Sequence, residues 1–205
     1  MLSAPPSNPG RLARILGRLW LRACGWRVEG RLPPLSRAVV IAAPHTSNWD
    51  LPFMLAVSWV LGVRPAWLGK HDLFRPPFGI LMRWLGGIPV DRRAPGGMVR
   101  QAADFLREAD RLFLVVPPSG TRSRAPHWKS GFYQIAKAAG VPILCAFLDY
   151  GRRVGGIGPT VVPSGDVSAD MAILRAFYAP IQGLRPEQMT EVRLAEEDGL
   201  PAERP

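Results

Sequence analysis

The chain has 205 residues, 47% of them hydrophobic, which suits one domain with a substantial core. Its formal net charge of +10 directs attention to anionic partners. No helix-turn-helix, zinc-finger or RNA-recognition pattern accompanies that charge, so nucleic acid is not expected as a partner.

Cys24 and Cys145 lie far apart without metal-ligand spacing, which argues against a disulfide scaffold or a zinc module and for two free thiols in a reducing compartment. The charge is uneven. Residues 187–205 carry six acids against Arg193 and Arg204, and only Lys70, Lys129 and Lys137 are lysines among 26 basic residues. Arginine suits bidentate recognition of phosphate, and it also follows the Ala/Pro/Gly/Arg bias of the whole chain.

Residues 1–10 are expected to be a flexible N-terminus, without the charged-then-apolar pattern of a secretory signal. A helix is predicted over 11–23. On a wheel it places Leu12, Ile15, Leu16, Leu19, Trp20 and Ala23 between about 40° and 180°, and Arg11, Arg14, Arg18 and Arg22 between about 300° and 20°. Only Leu21 breaks the division. Such a helix can lie in a headgroup layer or pack on the domain with its arginines in water.

The apolar run 38–43 predicts a buried strand stopped by Pro44, and Pro52 is placed to open a helix over 52–62. Between them His45-Thr46-Ser47-Asn48-Trp49-Asp50 falls on a strand-to-helix turn. On a continuous helix, residues five apart point about 140° away from each other, so the two can meet only if the turn folds His45 back. Asp50 would then hold one ring nitrogen and leave the other basic, the base-plus-orienter pair of a catalytic triad without a protein nucleophile. The alternative is an aspartate that caps the helix beside a hydrogen-bonded histidine. Ser47 lacks the flanking glycines of a nucleophile elbow.

The run 51–63 is thirteen residues, short of the roughly twenty that span a bilayer, and reads as a core helix. Further strands are predicted at 65–70, 88–91, 111–116, 143–149 and 160–163, with helices at 77–85, 97–109, 132–139 and 171–178. Trp67, Phe78 and Trp84 are open to either core or membrane-facing roles. The alternation predicts an α/β fold with a mostly parallel sheet flanked by helices, 11–186 forming one domain. Residues 187–205, acidic and Pro/Gly-containing, are expected to be a disordered tail.

In such sheets the loops at the strand carboxyl ends form the site, and His45, Lys70, Arg92 and Arg122 all follow predicted strands. Ser119-Gly120-Thr121-Arg122-Ser123-Arg124 offers backbone N–H groups, hydroxyls and a guanidinium to an anion, or is simply a surface turn. Asp91-Arg92-Arg93 is a phosphate contact held by an ion pair, or a solvated charge cluster. Lys129 would extend the anion site. His71 and His127 lack an acid at comparable spacing and are expected to be structural.

Taken in order, His45-x4-Asp50, then Gly87-Ile88-Pro89-Val90-Asp91-Arg92, then Pro117-Pro118-Ser119-Gly120-Thr121-Arg122-Ser123, with Gly140-Val141-Pro142-Ile143-Leu144 beyond, resemble the blocks of the glycerolipid acyltransferase family, whose best-known members are lysophosphatidic acid acyltransferases. The resemblance covers about residues 39–149. It implies His45 and Asp50 as catalytic residues, with Arg92, Gly120, Thr121 and Arg122 on the acceptor side, which Lys129 would extend. It also implies acyl-CoA or acyl carrier protein as donor, with no resident cofactor. A metal is not expected, because no third ligand of the right type lies near the pair, and the charge together with the 11–23 helix leads to an expected peripheral position on the cytoplasmic face of a membrane. Two positions depart from the pattern. Ser119 stands where the family's Pro-Glu-Gly-Thr-Arg block has glutamate, on the acceptor side, and Cys145 stands near a usual proline. A lipid-binding protein with impaired chemistry on the same scaffold is the alternative these departures raise.

Overall fold

The computed structural model describes residues 8–90 and 97–201. Seven strands form one sheet: β1 (Arg27–Glu29), β2 (Arg37–Ala43), β3 (Ala66–Lys70), β4 (Gly87–Val90), β5 (Leu112–Val116), β6 (Ile143–Asp149) and β7 (Val154–Val161). Their order is β1-β7-β6-β2-β5-β3-β4. Every pairing is parallel except the β6–β7 hairpin. The helices are α1 (Gly10–Ala23), α2 (Asp50–Val60), α3 (Phe78–Trp84), α4 (Gly97–Glu108), α5 (Gly131–Ala139) and α6 (Val167–Tyr178).

Strand alternation sorts the helices into two layers. Val39 and Ile41, Leu112 and Leu114, Ile143 and Cys145 face one side, where α4, α5 and α6 cover them with Leu106, Phe132 and Leu174. Ala38 and Val40, Phe113 and Val115, and Leu144 face the other, where α2 lies and α1 packs on α2 through Leu21, Phe53 and Val57. Right-handed crossovers put α2 and α3 on the same side, because both connections advance in one direction along the sheet.

Two strands differ from expectation. β7 runs over Val154–Val161 rather than 160–163, because its glycines, poor strand formers on their own, are required by close neighbours. A Cβ on Gly156 would sit 2.0 Å from the Glu29 carbonyl of β1, and one on Gly158 would sit 2.1 Å from the Phe177 ring. β1 has three residues, too few to show a period.

The acidic segment is also not a disordered tail within the described residues. Residues 187–201 pack against the body: Leu194 is 1% exposed and bridges Trp128. Glu197 pairs with Arg175 at 2.6 Å, and Asp198 with Arg193 and His127. Composition suggested solvation; the body supplies Arg175 and His127 as partners, and the segment itself supplies Arg193. At the other end, Asn8 accepts hydrogen bonds from Gly10 N and Arg14 Nη2, so α1 is already anchored within the stretch expected to be flexible.

Candidate active site

β2 ends at Ala43 and α2 begins at Asp50, two residues before the expected opening at Pro52. Trp49, not Asp50, occupies the N-cap position. The Asp50 carboxylate instead turns back into the loop. Its Oδ2 lies 3.0 Å from His45 Nδ1 and accepts the backbone N–H groups of Thr46 and Ser47 at 2.9 and 3.0 Å. Its Oδ1 accepts the Tyr150 hydroxyl at 2.9 Å. The turn therefore folds His45 back onto Asp50, as the spacing required.

Burial by itself would raise the Asp50 carboxyl, but the His45 ring, the Ser47 amide and the Tyr150 hydroxyl outweigh it and hold it below its ordinary value. An ionised carboxylate can only accept, so Nδ1 of His45 donates to it, and in the neutral ring the lone pair is on Nε2. Burial, followed by the Asp50 charge, pushes the Tyr150 phenol up, so it stays protonated and donates.

His45 and Asp50 stand at the lip of a cavity of about 370 Å³. Gly120 and Lys129 share that lip. Behind it the walls are apolar: Val40, Phe113, Val115 and Leu144 of the sheet, with Met54, Val57 and Leu61 of α2. Parallel strands place Val63 and Pro65, which precede β3, at the sheet edge opposite His45. The cavity lining thus extends along the sheet from His45 toward that opposite edge.

The loop after β5 adopts the expected turn. Gly120 has φ +65°, a conformation suited to glycine, and a Cβ there would meet the Lys129 stem at 2.9 Å. Ser119, buried where the resemblance expected a glutamate, donates to the Thr121 carbonyl at 2.7 Å. The Thr121 hydroxyl accepts the Ser123 N–H at 3.2 Å. Thr121 and Arg122 are exposed beside the lip. Arg92, with Asp91 and Arg93, lies outside the described residues.

Three contributors were not anticipated from sequence. Tyr150 follows the last residue of β6, so the strand-end rule that selected His45 applied to it too. Thr46 and Gln188 carried no such signal. Gln188 comes from the acidic segment. With its amide nitrogen turned toward two carbonyls, it donates to Thr46 O at 3.1 Å and to Arg122 O at 2.9 Å. Arg185 N donates to Thr46 Oγ1 at 3.2 Å, and Ala125 N to Thr190 Oγ1 at 3.0 Å. Residues 185–190 therefore strap the histidine loop to the Gly120–Arg122 loop.

Among the described residues no group of three His, Cys, Asp or Glu side chains could hold a metal ion. Cys24 and Cys145 are free, and burial pushes the Cys145 thiol up to about 12, far from a reactive thiolate. His127, lacking an acid nearby in sequence, meets Asp198 at 2.9 Å.

A 1-acyl-sn-glycerol-3-phosphate acyltransferase of Haemophilus influenzae is 35% identical over 150 residues, 68% of this chain and 60% of that protein. The chain thus spans about 60% of that relative's length. The crystal structure of the 1-acyl-sn-glycerophosphate acyltransferase PlsC from Thermotoga maritima shares the fold, with a TM-score of 0.57 at 22% identity over 83% of this chain and 77% of that one. The model of the Acyltransferase family matches residues 26–148. That stretch reaches from just before β1 almost to the end of β6 and contains the His45–Asp50 turn, most of the cavity walls and the Gly120–Arg122 loop, so the chain belongs to the acyltransferase family.

Proposed function

We propose that the protein moves a fatty acyl group from an acyl thioester, on coenzyme A or acyl carrier protein, to the hydroxyl of a lysophospholipid such as 1-acyl-glycerol-3-phosphate. The observation that carries this reading is an oriented histidine at the mouth of a long apolar cavity, beside a loop of N–H groups, hydroxyls and a guanidinium. The cavity takes the acyl chain; Gly120, Thr121, Arg122 and Lys129, with Arg92, take the acceptor phosphate.

His45 Nε2 removes the acceptor hydroxyl proton as the oxygen attacks the thioester carbonyl carbon. Asp50 holds the ring and stabilises the imidazolium. The tetrahedral intermediate collapses with cleavage of the C–S bond, and the imidazolium returns its proton to the departing thiolate. Transfer is direct, through a ternary complex, and needs no resident cofactor or metal.

Among the described residues no helix is long and apolar enough to cross a membrane. The substrates are nevertheless lipids, and α1 offers a way to reach them. Gly17 and Leu21 face α2: a Cβ on Gly17 would lie 2.8 Å from the Ala56 carbonyl. The residue that broke the wheel pattern is thus the anchor, and the stripe of Leu12, Ile15, Leu16, Leu19 and Trp20 is left exposed. That supports α1 lying in the headgroup layer, with the protein peripheral on the cytoplasmic face of the membrane.

The test is acyl transfer by wild type and His45→Ala, with acyl-CoA and acyl-carrier-protein donors and a panel of lysophospholipids with and without a free phosphate, read by mass spectrometry. Product from wild type alone supports the proposal. Silence from both, with lipid binding retained, supports a second reading that Ser119 favours: an acyltransferase-like lipid-binding protein whose chemistry is impaired.

A further inference from the structure

Sixteen large hydrophobic side chains are exposed among the described residues. Twelve of them sit on α1, at the start of α2, or on the segment from Leu73 through α3. Surfaces of soluble monomers scatter such residues singly; here they are gathered in one helical layer, on one face of the sheet. The remaining four, Val162, Ile173, Leu184 and Leu200, are dispersed.

The segment around α3 is built to face outward. Phe74 is buried, and its ring rests on a glycine floor: a Cβ on Gly69 or Gly87 would come within 2.9 Å of it, and one on Gly79 would lie 2.0 Å from the Phe74 carbonyl. With Phe74 and Gly79 turned inward, helical geometry puts Phe78, Ile80, Leu81 and Trp84 within a sector about 160° wide on the other side. Ile80 is 78% exposed and Phe78 69%. α3 meets α2 through Trp84 and Trp59, whose ring centroids are 6.3 Å apart, and α1 meets α2 through Trp20 and Phe53 at 5.8 Å.

We infer that the Leu73–Trp84 segment is a second lipid-docking element, which seats the protein on an anionic bilayer together with α1 and the Trp49–Leu51 turn beside the site. This rests on the membrane reading of α1 given above and extends it to a separate part of the chain. The charges fit that occupant. Arg64 lies 5.7 Å from the Trp84 ring centroid, Arg83 lies 5.3 Å from that of Phe74, and the sole acid between 64 and 85, Asp72, is already paired with Arg75 at 2.9 Å. Each patch also carries one exposed tryptophan, Trp20, Trp49 and Trp84, the residue type that settles at membrane–water interfaces. An acidic protein would match the arginines but would leave the broad apolar centre without a counterpart.

Co-sedimentation of the full chain with phosphatidylcholine vesicles, with and without phosphatidylglycerol, tests this. The variants are Phe78→Ser with Ile80→Glu on α3, and Leu12→Glu with Leu19→Glu on α1. All four side chains are exposed, so melting temperatures are expected to stay at the wild-type value. Each pair should lower partitioning onto the anionic vesicles about tenfold or more. A bimane label on Ile80→Cys in a Cys24→Ser background should shift to the blue on those vesicles and be quenched by brominated lipid. Wild-type partitioning by the α3 pair, beside loss by the α1 pair, would overturn this inference alone. No binding of wild type to either vesicle would overturn the membrane reading and this inference with it. An α3 pair that instead abolished a dimer in solution would assign the face to a second copy of the chain.

Discussion

Asp50 accepts four hydrogen bonds, three on Oδ2 and one on Oδ1, so it both orients His45 and closes the turn. His45→Ala removes the proposed base and little of the structure. Turnover is expected to fall by about two to four orders of magnitude with circular dichroism unchanged. Tyr150→Phe removes one hydrogen bond to an ionised group, an expected loss of about 1.5–3 kcal/mol in urea unfolding at neutral pH. Its pH dependence follows from the carboxyl being held below its ordinary value of 3.8. A depressed folded-state value contributes stability that is complete above about that pH and vanishes as pH falls through the folded value. The difference between wild type and Tyr150→Phe should therefore shrink in acid; a constant difference would mean that the hydroxyl acts through packing. The pairing of His45 with Asp50 could be anticipated from sequence because a turn was marked on both sides by prolines. Tyr150, a hundred residues away, joins only because β6 lies beside β2.

Among the elements, α1 most clearly separates pattern from packing. The wheel found its basic and apolar faces, yet the side that docks is neither: it is the narrow strip of Gly17 and Leu21, where small size permits close approach to α2. Gly17→Val is expected to push α1 from α2, lowering stability by about 1–3 kcal/mol and altering the fluorescence of Trp20 and Trp26, which contact Phe53. An unchanged melt and spectrum would place α1 elsewhere. β7 teaches the converse. Its glycines concealed a strand because their value lies in what β1 and α6 bring against them, which no local propensity records.

For the molecule as a whole, the proposed function makes the cavity and the strap the features expected to set what the site accepts. Val63 lies at the end of the cavity remote from His45, and Val63→Phe should shift donor preference toward shorter acyl chains, read by competition between thioesters. Gln188→Ala should raise the KM for a phosphate-bearing acceptor several-fold with kcat nearly constant, because the strap holds the Gly120–Arg122 loop against the histidine loop. Gln188→Glu keeps the size, loses both N–H donors and should behave like the alanine variant. Equal KM in all three would leave the strap a purely structural feature.

Hydrophobic periodicity, proline placement and four ordered motifs were enough to determine the α/β class, most element positions, the His45–Asp50 turn and the loop that faces it, since each is written in residues near one another. Tertiary structure alone decided three further things: that Tyr150 and Gln188 complete the site, that the acidic segment packs against the body, and that the apolar stripe of α1 stays uncovered. All three depend on pairings between distant parts of the chain. Whether an acid finds an arginine or a leucine finds a neighbour is settled by the sheet order and the layers it creates, which local pattern does not contain.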